Sequence, residues 1–479
     1  MNRSVEPSAI AGRIRAPSSK SSLQRALACA ALAPGTSEIS EATWSADSLA
    51  ACGIAEALGA RIERGPDRAS VRGIPPTAFS NPGMPGGSPL VLSCGESGTA
   101  LRMFSAVAAL FSREIRLAGE GTLARRPVGP IEASLRDLGA ECVTAGGYAP
   151  VRVRGPLRAG RVRVDGSGSS QFLTGLLIAL PLARAPESDE ARGRAVSGTP
   201  GSSPGASVIE VENLVSRGYV DLTLDVMRAF GVRAERSPDY SEFRVPGGQT
   251  YVPAAYRTEG DWSGAAFLLV AGALAARGAP VEVTGLDPAS SQPDRAILDA
   301  LRAAGAGLEL APGSVRVRAA GELRAFSFDA ADRPDLFPPL AALAAFCEGT
   351  TVLRGADRLR VKESDRAAAL SEELGKLGIR IEVEGDRMLV RGRGAGAAGR
   401  PDGGADRSGG DVGSSNQGGG AGAAVVGPVD SRGDHRIAMA AAVAALAGPG
   451  PVEIRGAECV AKSYPNFFED LAALGARLS

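Results

Sequence analysis

At 479 residues and 48.6 kDa the chain exceeds what one ordinary hydrophobic core supports, so two domains of similar size are expected. Its 53 basic and 53 acidic residues cancel, which removes any global pull toward nucleic acid or an anionic membrane and confines anion binding to local clusters. The six cysteines are scattered without a C-x-x-C pair, and the single histidine, His435, cannot complete a zinc set; reduced thiols, no metal and no cofactor are expected.

From the N-terminus, the first strongly apolar stretch is Ala26 to Ala33. Gln24 and Arg25 abut it and serines and a lysine precede it, so it reads as a buried helix face rather than the core of a signal peptide. No charge-free apolar run of about 18 residues occurs elsewhere, and a soluble, cytoplasmic protein without a membrane partner is expected. Along the whole chain one pattern recurs six times: an amphipathic helix, a glycine stop, then a short alternating strand and usually a second one. The stops are Gly59, Gly139, Gly231, Gly305, Gly378 and Gly475, placed where a left-handed helix cap costs glycine nothing. Six such units, three on each side of a midpoint near Thr258 to Asp261, predict an α+β repeat architecture rather than a doubly wound parallel sheet. The two longest intervals hold inserts rich in Gly, Ser, Pro and Ala, about 185–206 and about 394–424, which bury too little to repay ordering and are expected to be surface loops. Within the second, Gly394 to Gly399 matches G-x-G-x-x-G, but Arg400-Pro401-Asp402-Gly403 follows. No helix can begin there to receive a pyrophosphate, so the match carries no nucleotide site.

Several segments combine hydroxyls, glycine and cations as a bound phosphate or carboxylate requires. In Ser18-Ser19-Lys20-Ser21-Ser22-Leu23-Gln24-Arg25 the serines can cap a helix starting near Ser21, with Lys20 and Arg25 beside its N-terminus. Glu96-Ser97-Gly98-Thr99-Ala100-Leu101-Arg102 offers a second helix start, and Arg125-Arg126-Pro127 precedes a helix that prolines introduce. Asp165-Gly166-Ser167-Gly168-Ser169-Ser170-Gln171 sets more hydroxyls ahead of an apolar helix than one cap needs. Later come Arg360-Val361-Lys362-Glu363-Ser364-Asp365-Arg366, Gly433-Asp434-His435-Arg436 and Ala461-Lys462-Ser463. If helical, Lys362 and Arg366 share a face, which is unfavourable without an anion between them. Each segment alone also fits an ordinary cap or a solvated charged face. A lone histidine is by default structural, yet Asp434 and Arg436 flank this one.

Taken in order, these segments together with Leu214-Val215-Ser216, Tyr219, Glu259-Gly260-Asp261 and Pro334-Asp335 resemble the 5-enolpyruvylshikimate-3-phosphate synthase family along essentially the whole chain outside the inserts. The resemblance implies a two-domain inside-out α/β barrel of six βαβαββ-type units, with residues 14–257 as the first domain and 258–479, completed by 1–13, as the second. It implies transfer of the enolpyruvyl group of phosphoenolpyruvate to the 5-hydroxyl of shikimate 3-phosphate, in a cleft that closes on its substrates. Phosphoenolpyruvate would be held by Lys20, Gly98, Arg126, Gln171, Arg366, Arg436 and Lys462, and shikimate 3-phosphate by Lys20, Ser21, Arg25, Ser169, Ser170, Gln171, Ser216, Asp335 and Lys362. Asp335 would act as base, Glu363 as acid and Lys20 as their assistant, while Asp434 and His435 support them, the histidine as a hydrogen-bonding neighbour of Arg436. The small-molecule substrates are the partners implied, for a monomer. Three positions depart from the family's pattern: Met103, Gly218, which would loosen the Ser216 to Tyr219 contact, and Arg358, where some members carry an asparagine. The related UDP-N-acetylglucosamine enolpyruvyl transferases have Lys-Asn in place of Lys20-Ser21 and a loop cysteine that Gly119 to Arg125 lacks. A non-catalytic anion-binding relative would have damaged acids, whereas Asp335, Glu363 and Asp434 are all present.

Overall fold

The computed structural model describes residues 1–81, 88–185, 205–319, 321–360, 362–393 and 427–479. The whole of the insert at about 394–424, including Gly394 to Gly399, and nearly all of the insert at about 185–206 lie outside the described residues.

Among the described residues the strands form six sheets, five of four strands and one of three. One sheet displays the common order. Leu90–Ser93 and Ile115–Ala118 are a parallel pair joined through the helix Gly98–Ala108, and the helix Ile131–Asp137 then leads into the antiparallel hairpin Glu141–Ala145 and Tyr148–Arg154. An inner helix after a first strand and an outer helix before a hairpin recur around the molecule. The other inner helices are Lys20–Leu32, Gln171–Ala179, Trp262–Ala275, Phe337–Ala344 and His435–Leu446. The outer helices end at the glycine stops, and all six glycines adopt positive φ, from 74° at Gly378 to 114° at Gly59, which is why a side chain there would be strained.

Alternation along the strands leaves one face of each sheet buried, as in Thr36–Ser40, where Ser37 and Ile39 point inward. The inner helices are buried on nearly all sides. Every residue of Trp262–Ala275 and of His435–Leu446 is buried, the condition of a helix enclosed by other elements. Ala26 to Ala33 lies in the same setting, fully buried. Two apolar clusters result, one running from Leu23 to Tyr251 and the other joining Val5, Ile10 and Ala16 to Trp262 through Ala476.

The chain passes between the clusters twice, and a strand before each passage completes a sheet of the cluster it leaves. Ile10–Arg15 pairs in parallel with Ala276–Thr284, and Ala255–Arg257 in parallel with Thr36–Ser40. The two passages touch where Ser18 bridges Gly260. No helix among the described residues is long and apolar enough to cross a membrane.

Candidate active site

The inner helices begin at one cavity. It is lined by Ser19, Lys20 and Ser21 from the first, Gly98 and Thr99 from the second, Ser169 to Gln171 from the third, Asp261 and Ser263 from the fourth, Pro334 and Asp335 just ahead of the fifth, and Arg436 from the sixth. Convergent helix N-termini direct free N–H groups and the positive ends of their dipoles at one space, which favours anions. The caps follow from sequence. Ser19 caps the first helix, which starts at Lys20; its hydroxyl accepts from the Ser22 amide at 3.3 Å. Ser97 and Asp434 serve in the same way, and the Ser169 hydroxyl accepts from the Gln171 amide at 3.2 Å.

On the second-half wall the charges interlock. Arg366, with no exposed side-chain surface, donates to Asp434 Oδ2 at 2.9 Å, to Asp335 Oδ1 at 2.9 Å and to Glu363 Oε2 at 2.6 Å. Arg436 donates to Asp335 Oδ2 at 3.0 Å and to the Ser263 hydroxyl at 2.5 Å. Glu363 Oε1 lies 3.6 Å from Arg126 Nη1. Burial alone would raise the pKa of Asp335, but Arg436, Lys362 and Arg366 overcome it and hold the carboxyl far below its usual range. Glu363 is likewise held well below, burial being outweighed by Arg366 and Arg126. Both acids are therefore ionised when the cavity holds no anion. Lys362 makes no side-chain hydrogen bond among the described residues, and burial pushes its ammonium down to about 8 despite Asp335. Burial also opposes the Lys20 ammonium, yet Asp47, 2.8 Å away, leaves its pKa raised.

The first-half wall is built of hydroxyls, amides and guanidiniums. Gln171 donates to the Thr99 hydroxyl at 2.8 Å and accepts from Arg102 at 2.9 Å. Arg25 is buried and spends its donors on Thr223, Ser21 and Tyr219, and burial lowers its pKa to about 10. Gly98 has a steric reason: a Cβ there would meet Arg102 Nη1 at 2.7 Å and Arg126 Nη1 at 2.9 Å, so only glycine lets both cations reach this helix start.

Of the residues singled out in the sequence, Lys20, Ser21, Arg25, Gly98, Arg126, Ser169, Ser170, Gln171, Ser216, Asp335, Lys362, Glu363 and Arg436 line the cavity together. Arg366 and Asp434 stand behind the acids. Lys462 stands apart from the cavity lining, donating to Glu96 Oε2 at 3.3 Å and the Thr122 hydroxyl at 3.4 Å. Three expectations need correction. Lys362 is not on a helix with Arg366: the helix starts at Arg366 with Asp365 as its cap, and Lys362 sits in the bend before it. The His435 ring makes no hydrogen bond among the described residues, both its nitrogens being buried, and burial together with Arg436 and Lys20 depresses its pKa, leaving it neutral. Gly218 does not loosen its turn, since the Tyr219 amide still donates to Ser216 O at 3.1 Å. Sequence reasoning missed Asp47, Ser263, Gln292 and Asp294, which also line the cavity. Asp47 and Ser263 carried no local signal, whereas Gln292-Pro293-Asp294 is a polar turn that opens a helix and could have been noticed. Burial and the charge of Asp335 push the Asp294 carboxyl up to about 7.

The family model for EPSP synthase (3-phosphoshikimate 1-carboxyvinyltransferase) matches residues 5–192 and 200–471. The chain belongs to the EPSP synthase family. A 3-phosphoshikimate 1-carboxyvinyltransferase from Aeropyrum pernix is 40% identical over 99% of this chain and 96% of its own length. The enzyme of the same name from Clostridium kluyveri is 35% identical over 99% of this chain and 97% of its own. Among solved structures, an EPSP synthase from Acinetobacter baumannii superposes with a TM-score of 0.74 at 25% identity, covering 100% of this chain and 99% of that one. The mixed α/β fold with several mixed sheets is thus that of EPSP synthases, and the motifs from Lys20 to Lys462 all fall within the matched ranges.

Proposed function

We propose that the cavity transfers the 1-carboxyvinyl group of phosphoenolpyruvate to the 5-hydroxyl of shikimate 3-phosphate, releasing phosphate, within chorismate and aromatic amino-acid biosynthesis. The observation that carries this reading is the joining, in one cavity of a family member, of Lys20, Arg126, Lys362 and Arg436 with the two carboxylates Asp335 and Glu363. The substrates bring two phosphates and two carboxylates, which matches a concentration of cations inside a chain of zero net charge.

In this reading phosphoenolpyruvate is held by Lys20, Gly98, Arg126, Gln171, Arg366, Arg436 and Lys462, and shikimate 3-phosphate by Lys20, Ser21, Arg25, Ser169, Ser170, Gln171, Ser216, Asp335 and Lys362. Glu363 delivers a proton to C3 of phosphoenolpyruvate while Asp335 takes the proton of the 5-hydroxyl, whose oxygen bonds to C2. In the tetrahedral adduct the C2–O bond to phosphate then breaks, Glu363 recovers the proton from C3, and the vinyl group is restored. The proton on Asp335 leaves with phosphate. Both acids are too weakly basic in the empty cavity to carry protons at neutral pH. Bound anions claim Arg126 and Arg436, which line the cavity, weakening their hold on the acids and raising their proton affinity, so proton transfer depends on occupancy. No cofactor or metal enters these steps.

The same reading takes the molecule as a two-domain inside-out α/β barrel of six βαβαββ units, with 14–257 as one domain and 258–479 plus 1–13 as the other, closing on substrate. It is a monomer of the cytoplasm. Phosphate release from phosphoenolpyruvate with shikimate 3-phosphate as acceptor, set beside UDP-N-acetylglucosamine, tests the assignment. Turnover with the first acceptor alone is expected, and turnover with the UDP-sugar or with neither overturns it.

A further inference from the structure

Asp294 is absent from the roles given above, yet its surroundings ask for one. It is the second residue of the short turn Pro293–Ala296 and is 2% exposed. Its Oδ2 accepts from the Tyr219 hydroxyl at 2.5 Å, and its Oδ1 is buried with no partner. A buried carboxylate with one oxygen unpaired costs free energy, and such a group at a cavity wall calls for an explanation beyond packing. The bond crosses the molecule: Tyr219 is on the first turn of the helix Arg217–Ala229, within the first apolar cluster's half, and Asp294 is in the other.

The contact is shaped on both sides. Gly218, beside Tyr219, presses on the turn that carries Asp294, and a Cβ there would meet the Pro293 ring at 2.9 Å. Two residues earlier, the Ser216 amide donates to Asp332 Oδ1 at 2.6 Å. Ser216 itself holds a left-handed backbone, φ 57°, a conformation that a non-glycine residue keeps only when its neighbours enforce it. On its other flank the Tyr219 carbonyl accepts from Arg25 at 3.3 Å and from Thr223 at 2.8 Å. Tyr219, Ser216, Arg25 and Asp294 all line the cavity.

We propose that Asp294 is a positioning residue for the acceptor substrate: it holds the Tyr219 phenol across the cleft and thereby fixes Tyr219 and Ser216 against the acceptor when the two halves meet. Gly218 is the space that allows it. The departure from the family's pattern at Gly218 is thus matched by a second-half turn whose Pro293 fills the space a side chain at 218 would occupy. This inference rests on the acceptor reading above, and wild-type turnover with shikimate 3-phosphate separates the two.

The test is steady-state kinetics with varied shikimate 3-phosphate on Asp294→Ala, Asp294→Asn, Tyr219→Phe and the Tyr219→Phe, Asp294→Ala pair. Asp294→Ala and Tyr219→Phe are expected to raise KM for shikimate 3-phosphate by about tenfold to a hundredfold, the range for losing a hydrogen bond to a charged group. In both, kcat and KM for phosphoenolpyruvate should stay within about threefold, a change too small to signal a lost interaction of that kind. Asp294→Asn keeps an acceptor oxygen and should restore KM to near wild type, and the double variant should be no worse than the poorer single one. Should Asp294→Ala fold poorly, Tyr219→Phe against Asp294→Asn carries the same contrast. An unchanged KM in Tyr219→Phe, a loss in Asp294→Asn as large as in Asp294→Ala, or additive losses in the pair would overturn the proposal. If wild type itself does not use shikimate 3-phosphate, it is the acceptor reading that fails.

Discussion

The two walls of the cavity are made of different chemistry. The first-half wall presents hydroxyls, an amide and guanidiniums already bonded to protein groups: Ser169, Ser170, Gln171 and Arg25. The second-half wall presents two ionised acids, Asp335 and Glu363, restrained by Arg366 and Arg436. A wall of donors that keep their protonation state binds with the same strength throughout a reaction, whereas a wall of coupled acids and bases changes state as protons move. Changes on the first wall should therefore appear mainly in KM, and changes to the two acids of the second in kcat.

The largest effect on folding belongs to Arg366→Gln. It leaves Asp335, Glu363 and Asp434 without their common partner, and a broken buried ion pair costs about 3–5 kcal/mol. Urea denaturation should show a loss of that size, and a loss under 1 kcal/mol would mean the acids find other partners. On the first wall, Gly98→Ala should displace the Arg102 and Arg126 heads and raise KM for phosphoenolpyruvate by about tenfold to a hundredfold, since small misplacements of binding groups are costly. An effect confined to kcat would break the division between the walls. A smaller, pH-dependent effect is expected at Lys362, whose ammonium is pushed down to about 8. Below that pH it is charged and attracts the acceptor's phosphate; above it the free protein loses the charge, so the dissociation constant for shikimate 3-phosphate should climb by at most about tenfold per pH unit. Calorimetry across pH 7 to 9.5 reads this, and Lys362→Arg, always charged, should flatten the rise.

Much of this was legible in the chain. The six glycine stops marked the outer helices because a left-handed cap has one favoured residue, and hydroxyl-rich segments marked the inner helix starts because caps are local. Long-range partners were not legible. Nothing near Asp47 announces that it will meet Lys20, and nothing around His435 reveals that its ring will lack a hydrogen-bond partner among the described residues, because both depend on how distant helices pack. Lys362 and Arg366 show the same limit: a spacing of four suggested one helix face, but Asp365 caps the helix between them.

The central claim is that the second-half acids move protons during the reaction. Its most direct test is Glu363→Gln, which keeps the shape and removes the titrating group, measured by substrate binding in calorimetry and by phosphate release under saturating substrates. Binding of both substrates should stay within about threefold while phosphate release falls by about a hundredfold to ten-thousandfold, the range for losing a general acid. Phosphate release near the wild-type rate, or a loss explained wholly by weaker binding, would contradict the account.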